Sequence, residues 1–211
     1  MMKHIARTIA GAMTVALIAA PGVASLLAQA PAGGAQAPAG RAGGPPNPPL
    51  LMTTTAFQDG GVIPDKYTQV AGPAAVSPAL SWSQVPPGTQ SFVLLMHDPE
   101  PVLNKTSKMD ITHWLVWNIP ATSTGLPENV PAGELPDGTR QVSLRSNAYM
   151  GPGAPPGPYH HYTFELYALD IKLEVPQGQP TAAAATRNAV IDAMDGHVLG
   201  KAILVGRFHR P

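Results

Sequence analysis

Three stretches of this sequence carry side chains that could act together on a ligand. The first is His97-Asp98-Pro99-Glu100-Pro101, a histidine and two acids set among prolines. It follows an apolar run, and proline cannot extend a central strand, so the chain must turn there and hold Asp98 at a strand end. The second is His113-Trp114, at the head of another apolar and aromatic run. Successive side chains on a strand point to opposite faces, so one of this pair faces inward. The third spans residues 149–162, where a loop of glycine and proline runs between Tyr149 and Tyr162 and ends in His160 and His161. Glycine lets a backbone approach a ligand closely. Successive backbone N–H groups can cradle an anion. Proline stiffens such a loop.

Together these residues suit the capture of a small anion. Phosphate needs donors, and imidazole and backbone N–H groups supply them. An acid beside a histidine fixes its tautomer and favours its charged form. Each stretch alone also has a plain structural explanation: a polar strand exit, a packed histidine, a rigid connector. Two other functional readings stay open. The Pro-rich loop at 151–158 could dock a protein partner, for instance as a protease inhibitor. His97, Asp98, His113 and His160 are residue types that ligate zinc in metal-dependent hydrolases. Yet the compact HExxH spacing is missing. So is the GxSxG nucleophile elbow. The expectation is therefore a binding protein with no catalytic residue, no metal and no cofactor.

The elements that must position these residues are short and strand-like. With 25 Pro and 21 Gly, the composition favours turns and extended segments over long helices. The spacing predicts strands over Ser91–His97, Thr112–Ile119, Tyr162–Leu169 and Lys201–Phe208. In the third, Phe164, Leu166 and Ala168 share one face. Pro86-Pro87-Gly88 and Pro136-Asp137-Gly138 mark turns. One helix is predicted, over Thr181–Met194, with Ala183, Val190 and Met194 on its apolar side. The fold class is mainly β with a peripheral C-terminal helix.

The 13 basic and 13 acidic residues balance, so no global charge draws the protein to nucleic acid. There is no cysteine, which excludes disulfides and thiolate chemistry. Residues 1–30 read as a secretory signal peptide. Lys3, His4 and Arg7 precede an uncharged apolar stretch that ends in Ala28-Gln29-Ala30. Residues 31–50 hold six Pro, five Gly and five Ala and read as a flexible linker. Residues 51–211 form the folded domain. The expected location is periplasmic or secreted, with no stable membrane span once the leader is removed.

The order of several short motifs resembles the phosphatidylethanolamine-binding protein family, also called Raf kinase inhibitor-like proteins, and its bacterial branch in particular. Ser77-Pro78-Ala79-Leu80-Ser81-Trp82 resembles its S-P-x-L-x-W element, and Asp98-Pro99-Glu100 its D-P-D. His113-Trp114 with Asn118-Ile119-Pro120 is similar to its H-W and N-I-P strand. Gly151-Pro152, Pro155-Pro156 and His160-His161-Tyr162 are similar to its G-P, P-P and H-R-Y segment. Leu166-Tyr167-Ala168-Leu169-Asp170, Gly196-His197-Val198-Leu199 and Leu204-Val205-Gly206 complete the match. The resemblance implies an antiparallel β-sandwich with a small cavity for phosphate or a phospholipid headgroup such as phosphorylethanolamine. By position its ligand-binding residues are Asp98, His113, Tyr149, Gly151, Pro152, His160 and Tyr162. Two departures stand out: Pro101 comes one residue early, and His161 replaces an arginine, which removes a bidentate fork.

Overall fold

The computed structural model describes residues 48–103 and 110–211. These belong to one unit, Pro45–Pro211. The leader at 1–30 and residues 31–47 of the linker lie outside the described residues.

Among the described residues nine strands run in chain order: β1 Leu51–Thr53, β2 Gly61–Val62, β3 Leu80–Ser83, β4 Ser91–Asp98, β5 Ile111–Pro120, β6 Gly125–Leu126, β7 Arg140–Val142, β8 His160–Leu169 and β9 Val198–Phe208. One helix, α1, spans Ala183–Ala193. A small sheet has the order β1-β3-β6, and a large one β2-β9-β8-β4-β5-β7. All pairings are antiparallel except β2 with β9, which run parallel. The antiparallel expectation therefore holds with that one exception.

Alternation explains which side chain goes where. Met52, Leu80 and Trp82 from the small sheet meet Phe92, Leu94, Met96, Trp114, Phe164 and Leu166 from the large one. The opposite face of the large sheet is also covered. Val93, Leu95, Leu115 and Trp117 pack there against Leu173, Val175, Ala183, Val190 and Met194. With both faces buried, β4 reads as an unbroken apolar run, as the sequence showed. Each fully buried Phe or Leu contributes about 1.5–3 kcal/mol. The predicted helix starts two residues later than expected, because Pro180–Ala182 form a tight 3-10 turn with Pro180 at its head.

Two devices anchor these layers. Asn118 sits at a positive φ of 59° in β5, a conformation asparagine tolerates better than most residues. Its side chain donates to the Leu173 carbonyl at 2.9 Å and accepts from the Leu173 N–H at 2.8 Å. This clamps the segment leading to α1. The second device is ionic. Arg187 of α1 grips both oxygens of Asp110, and the Nδ1 of His97 meets the same carboxylate at 2.5 Å.

Candidate anion pocket

Asp98 is the last residue of β4, buried, with both oxygens engaged. Its Oδ1 accepts from the Glu100 N–H at 3.0 Å, which shapes the turn that the prolines force. Its Oδ2 accepts from His160 Nδ1 at 2.8 Å, across to the first residue of β8. Burial pushes the Asp98 carboxyl above its usual value, and His160 pulls against that. With Nδ1 donating to Asp98, Nε2 is the His160 nitrogen left for a ligand, and it donates to an anion only in the imidazolium form.

The next residue along each strand points away. His97 lies on the other face of β4, with Asp110. The idea that His97 joins Asp98, His113 and His160 in one metal site is therefore overturned by strand alternation. His161 likewise leaves the Asp98–His160 pair. Its backbone N–H donates to Glu100 at 3.0 Å and its Nδ1 meets the same carboxylate at 2.6 Å. Two acid–imidazole pairs thus sit side by side: half-buried His160 on buried Asp98, and exposed His161 on half-buried Glu100.

His113 is buried, and its Nδ1 donates to the Met150 carbonyl at 2.9 Å. A carbonyl only accepts, so the proton is on Nδ1 and Nε2 carries the lone pair. Burial pushes the ring down to about 4, and the nearby Arg145 charge adds to this. At neutral pH His113 is thus an acceptor, where the sequence alone suggested a second imidazole donor. An anion that carries one proton, such as hydrogen phosphate or a phosphate monoester, complements the pair. Its O–H can donate to His113 while another oxygen accepts from His160.

The Gly/Pro loop works differently from the expected N–H cradle. The Tyr162 hydroxyl accepts from the N–H groups of Gly153 at 3.2 Å and Ala154 at 3.0 Å. Those donors hold the loop to β8 and are not aimed at a ligand. Tyr162 also stacks edge-on against His113, with ring centroids 5.0 Å apart. Gly151 is needed for a close backbone approach: a Cβ there would come within 2.7 Å of the Tyr67 carbonyl. Its carbonyl accepts from Gln69 Nε2 at 2.9 Å, and the Pro152 carbonyl accepts from the Gln69 N–H at 2.8 Å. The Tyr149 hydroxyl donates to the Tyr67 carbonyl at 2.8 Å.

Asp98, His113, His160 and Tyr162 line a single cavity of about 510 Å³. Tyr149 and Gly151 line an adjoining one of about 330 Å³, and Pro152 lines neither. Gln69, Arg145, Met150 and Arg210 border both cavities. Sequence reasoning did not find Gln69, Arg145 or Arg210. They belong to no local motif and come from three distant parts of the chain. A larger hollow of about 760 Å³ lies on the opposite side of the large sheet, between α1 and β8.

Among the described residues, Asp98, Glu100 and His160 form the one group whose ligand atoms, within 4.8 Å of one another, could surround a cation. Asp98 and Glu100 already accept hydrogen bonds on both oxygens, and His160 Nδ1 already faces Asp98. That pattern suits a preorganised donor for an anion better than a set of open metal ligands.

Two packed sheets thus carry an acid–imidazole cavity at the ends of the central strands β4 and β8. The profile of the phosphatidylethanolamine-binding protein family matches residues 53–209, and the chain belongs to that family. A UPF0098 protein of Methanothermobacter thermautotrophicus is 44% identical over 164 residues, covering 76% of this chain and 99% of the relative. One from Aquifex aeolicus is 33% identical, covering 76% of this chain and 89% of its own. Among solved structures, a Chlamydia trachomatis phosphatidylethanolamine-binding protein homologue is 30% identical. It has a TM-score of 0.64 and covers 77% of this chain and 99% of its own. Escherichia coli YbcL, described as a new member of the mammalian family, is 26% identical. It has a TM-score of 0.61 and the same coverage.

Proposed function

We propose that this protein is an exported, non-enzymatic binder of a small phosphate-type anion, free or as a phospholipid headgroup. The observation that carries the reading is the pair of buried Asp98 with half-buried His160, sharing a cavity with His113. In this reading His113 accepts through Nε2 and His160, as an imidazolium beside Asp98, donates. The family supports a ligand-binding role. Export rests on the leader-like residues 1–30. Among the described residues no helix is long and apolar enough to cross a membrane. The loop at Pro155–Tyr159 is exposed, which keeps a docked protein partner as a second reading.

Calorimetry with inorganic phosphate tests the reading. Wild type binds, and His160→Ala weakens binding by roughly tenfold to a hundredfold, as expected for loss of a charge-assisted donor. His161→Ala weakens it by less than about threefold, because that ring is exposed and tied to Glu100. No heat from wild type anywhere between about pH 5 and 8, the range over which imidazole titrates, sinks the proposal.

A further inference from the structure

Arg145 and Arg210 stand apart from the other polar groups at the pocket. All 13 acidic residues of the chain lie among the described residues. None of them pairs with either arginine. Among the described residues the only side-chain hydrogen bond from Arg145 is a long one, 3.4 Å, to the neutral Gln69 amide. Both arginines border the Asp98/His113/His160 cavity and the adjoining smaller one. Elsewhere Arg187 grips Asp110, Arg140 meets Glu134, Lys66 meets Glu128 and Lys201 meets Glu165; among the described residues Arg207 and Lys172 also have no acid partner, but they line neither cavity. The chain thus leaves two guanidinium groups without an acid at one mouth, where a ligand would project. A guanidinium fork matches a carboxylate or phosphate in planar, bidentate geometry.

We infer that the pocket takes a doubly anionic ligand. Its phosphate enters between His113 and His160, and a second anionic group, a carboxylate or another phosphate, is held by Arg145 and Arg210 across the two cavities. This rests on the phosphate reading above and narrows it. A ligand whose tail is only an ammonium, like phosphorylethanolamine, leaves the arginines without a partner. The chemistry is shared by soluble phosphate esters and by lipid headgroups that carry an extra carboxylate.

The test uses two probes that differ by one carboxylate: O-phosphoserine and O-phosphoethanolamine. Calorimetry on the full chain is expected to show O-phosphoserine binding about fivefold to tenfold tighter, the scale of two exposed ion pairs. In Arg145→Gln/Arg210→Gln the ratio falls towards one, while inorganic phosphate still binds and still depends on His160. Both positions are exposed, and an unchanged melting temperature verifies the fold of the variant. Phosphate binding with equal affinity for the two esters, or a preference that survives the double substitution, overturns the inference and leaves the phosphate pocket standing. No binding of phosphate or of either ester overturns both. Vesicles of phosphatidylserine and of phosphatidylethanolamine then separate the sources. Retention on the first alone, lost in the double variant, assigns a lipid. Retention on neither, with the soluble preference intact, assigns a free ester.

Discussion

Two histidines set opposite limbs of the pH–stability curve. His113 is held down at about 4 by burial, and His97 is treated in the reverse way. Burial opposes the charge on His97, but the carboxylates of Asp110 and Glu165 outweigh it and hold the ring up to about 9. Between pH 6.5 and 4 the unfolded chain protonates at residue 113 and the folded one does not, so stability falls as pH falls. His97 contributes fully below 6.5, and its contribution is lost as pH rises to about 9. Asp110 and Glu165 have lowered values, so their contribution falls away only below the ordinary carboxylate range. Urea melts from pH 4 to 9 are expected to peak near 6.5, each limb worth about 2–3 kcal/mol. His113→Asn flattens the acid limb and His97→Gln the alkaline one. A wild-type curve level across this range shows that neither ring is held as described. At this scale the sequence was a partial guide. Asp98 and His160 were legible because an ordered set of short motifs brackets them. The fate of the loop's N–H groups was not, because the acceptor that takes those of Gly153 and Ala154 is Tyr162, on the strand that follows.

Among the elements, β5 carries the most conspicuous break in regularity. Its Asn118 does two jobs, a left-handed backbone and a two-way clamp on Leu173. Asn118→Ala loses both and should cost about 2–3 kcal/mol. Asn118→Gly keeps the backbone freedom and should cost about 1 kcal/mol less. Denaturant midpoints distinguish them, and equal losses mean that the backbone conformation stores no strain. The long strands and α1 were readable because they are apolar on one or both faces over several residues. Strands such as Gly61–Val62 and Gly125–Leu126 were not. Two residues cannot show a period, and what makes them strands is a partner far along the chain.

For the whole molecule, the leader reading makes a prediction about place. Fractionation of a Gram-negative host that expresses the full chain should recover the domain in the periplasm or medium at a mass reduced by the leader. A cytoplasmic product of full mass counts against export. The sheet order adds a consequence of another kind. β9, late in the chain, lies between β2, near the start of the domain, and β8. The pocket likewise combines Gln69, Asp98 and Arg210. No early portion of the domain can assemble the cavity ahead of the rest, because residues as far apart as Gln69 and Arg210 border it. Contacts of this span are formed slowly, on the millisecond-to-second scale. The domain therefore reaches its folded shape only after β9 has been made, and until then the emerging polypeptide stays an open thread.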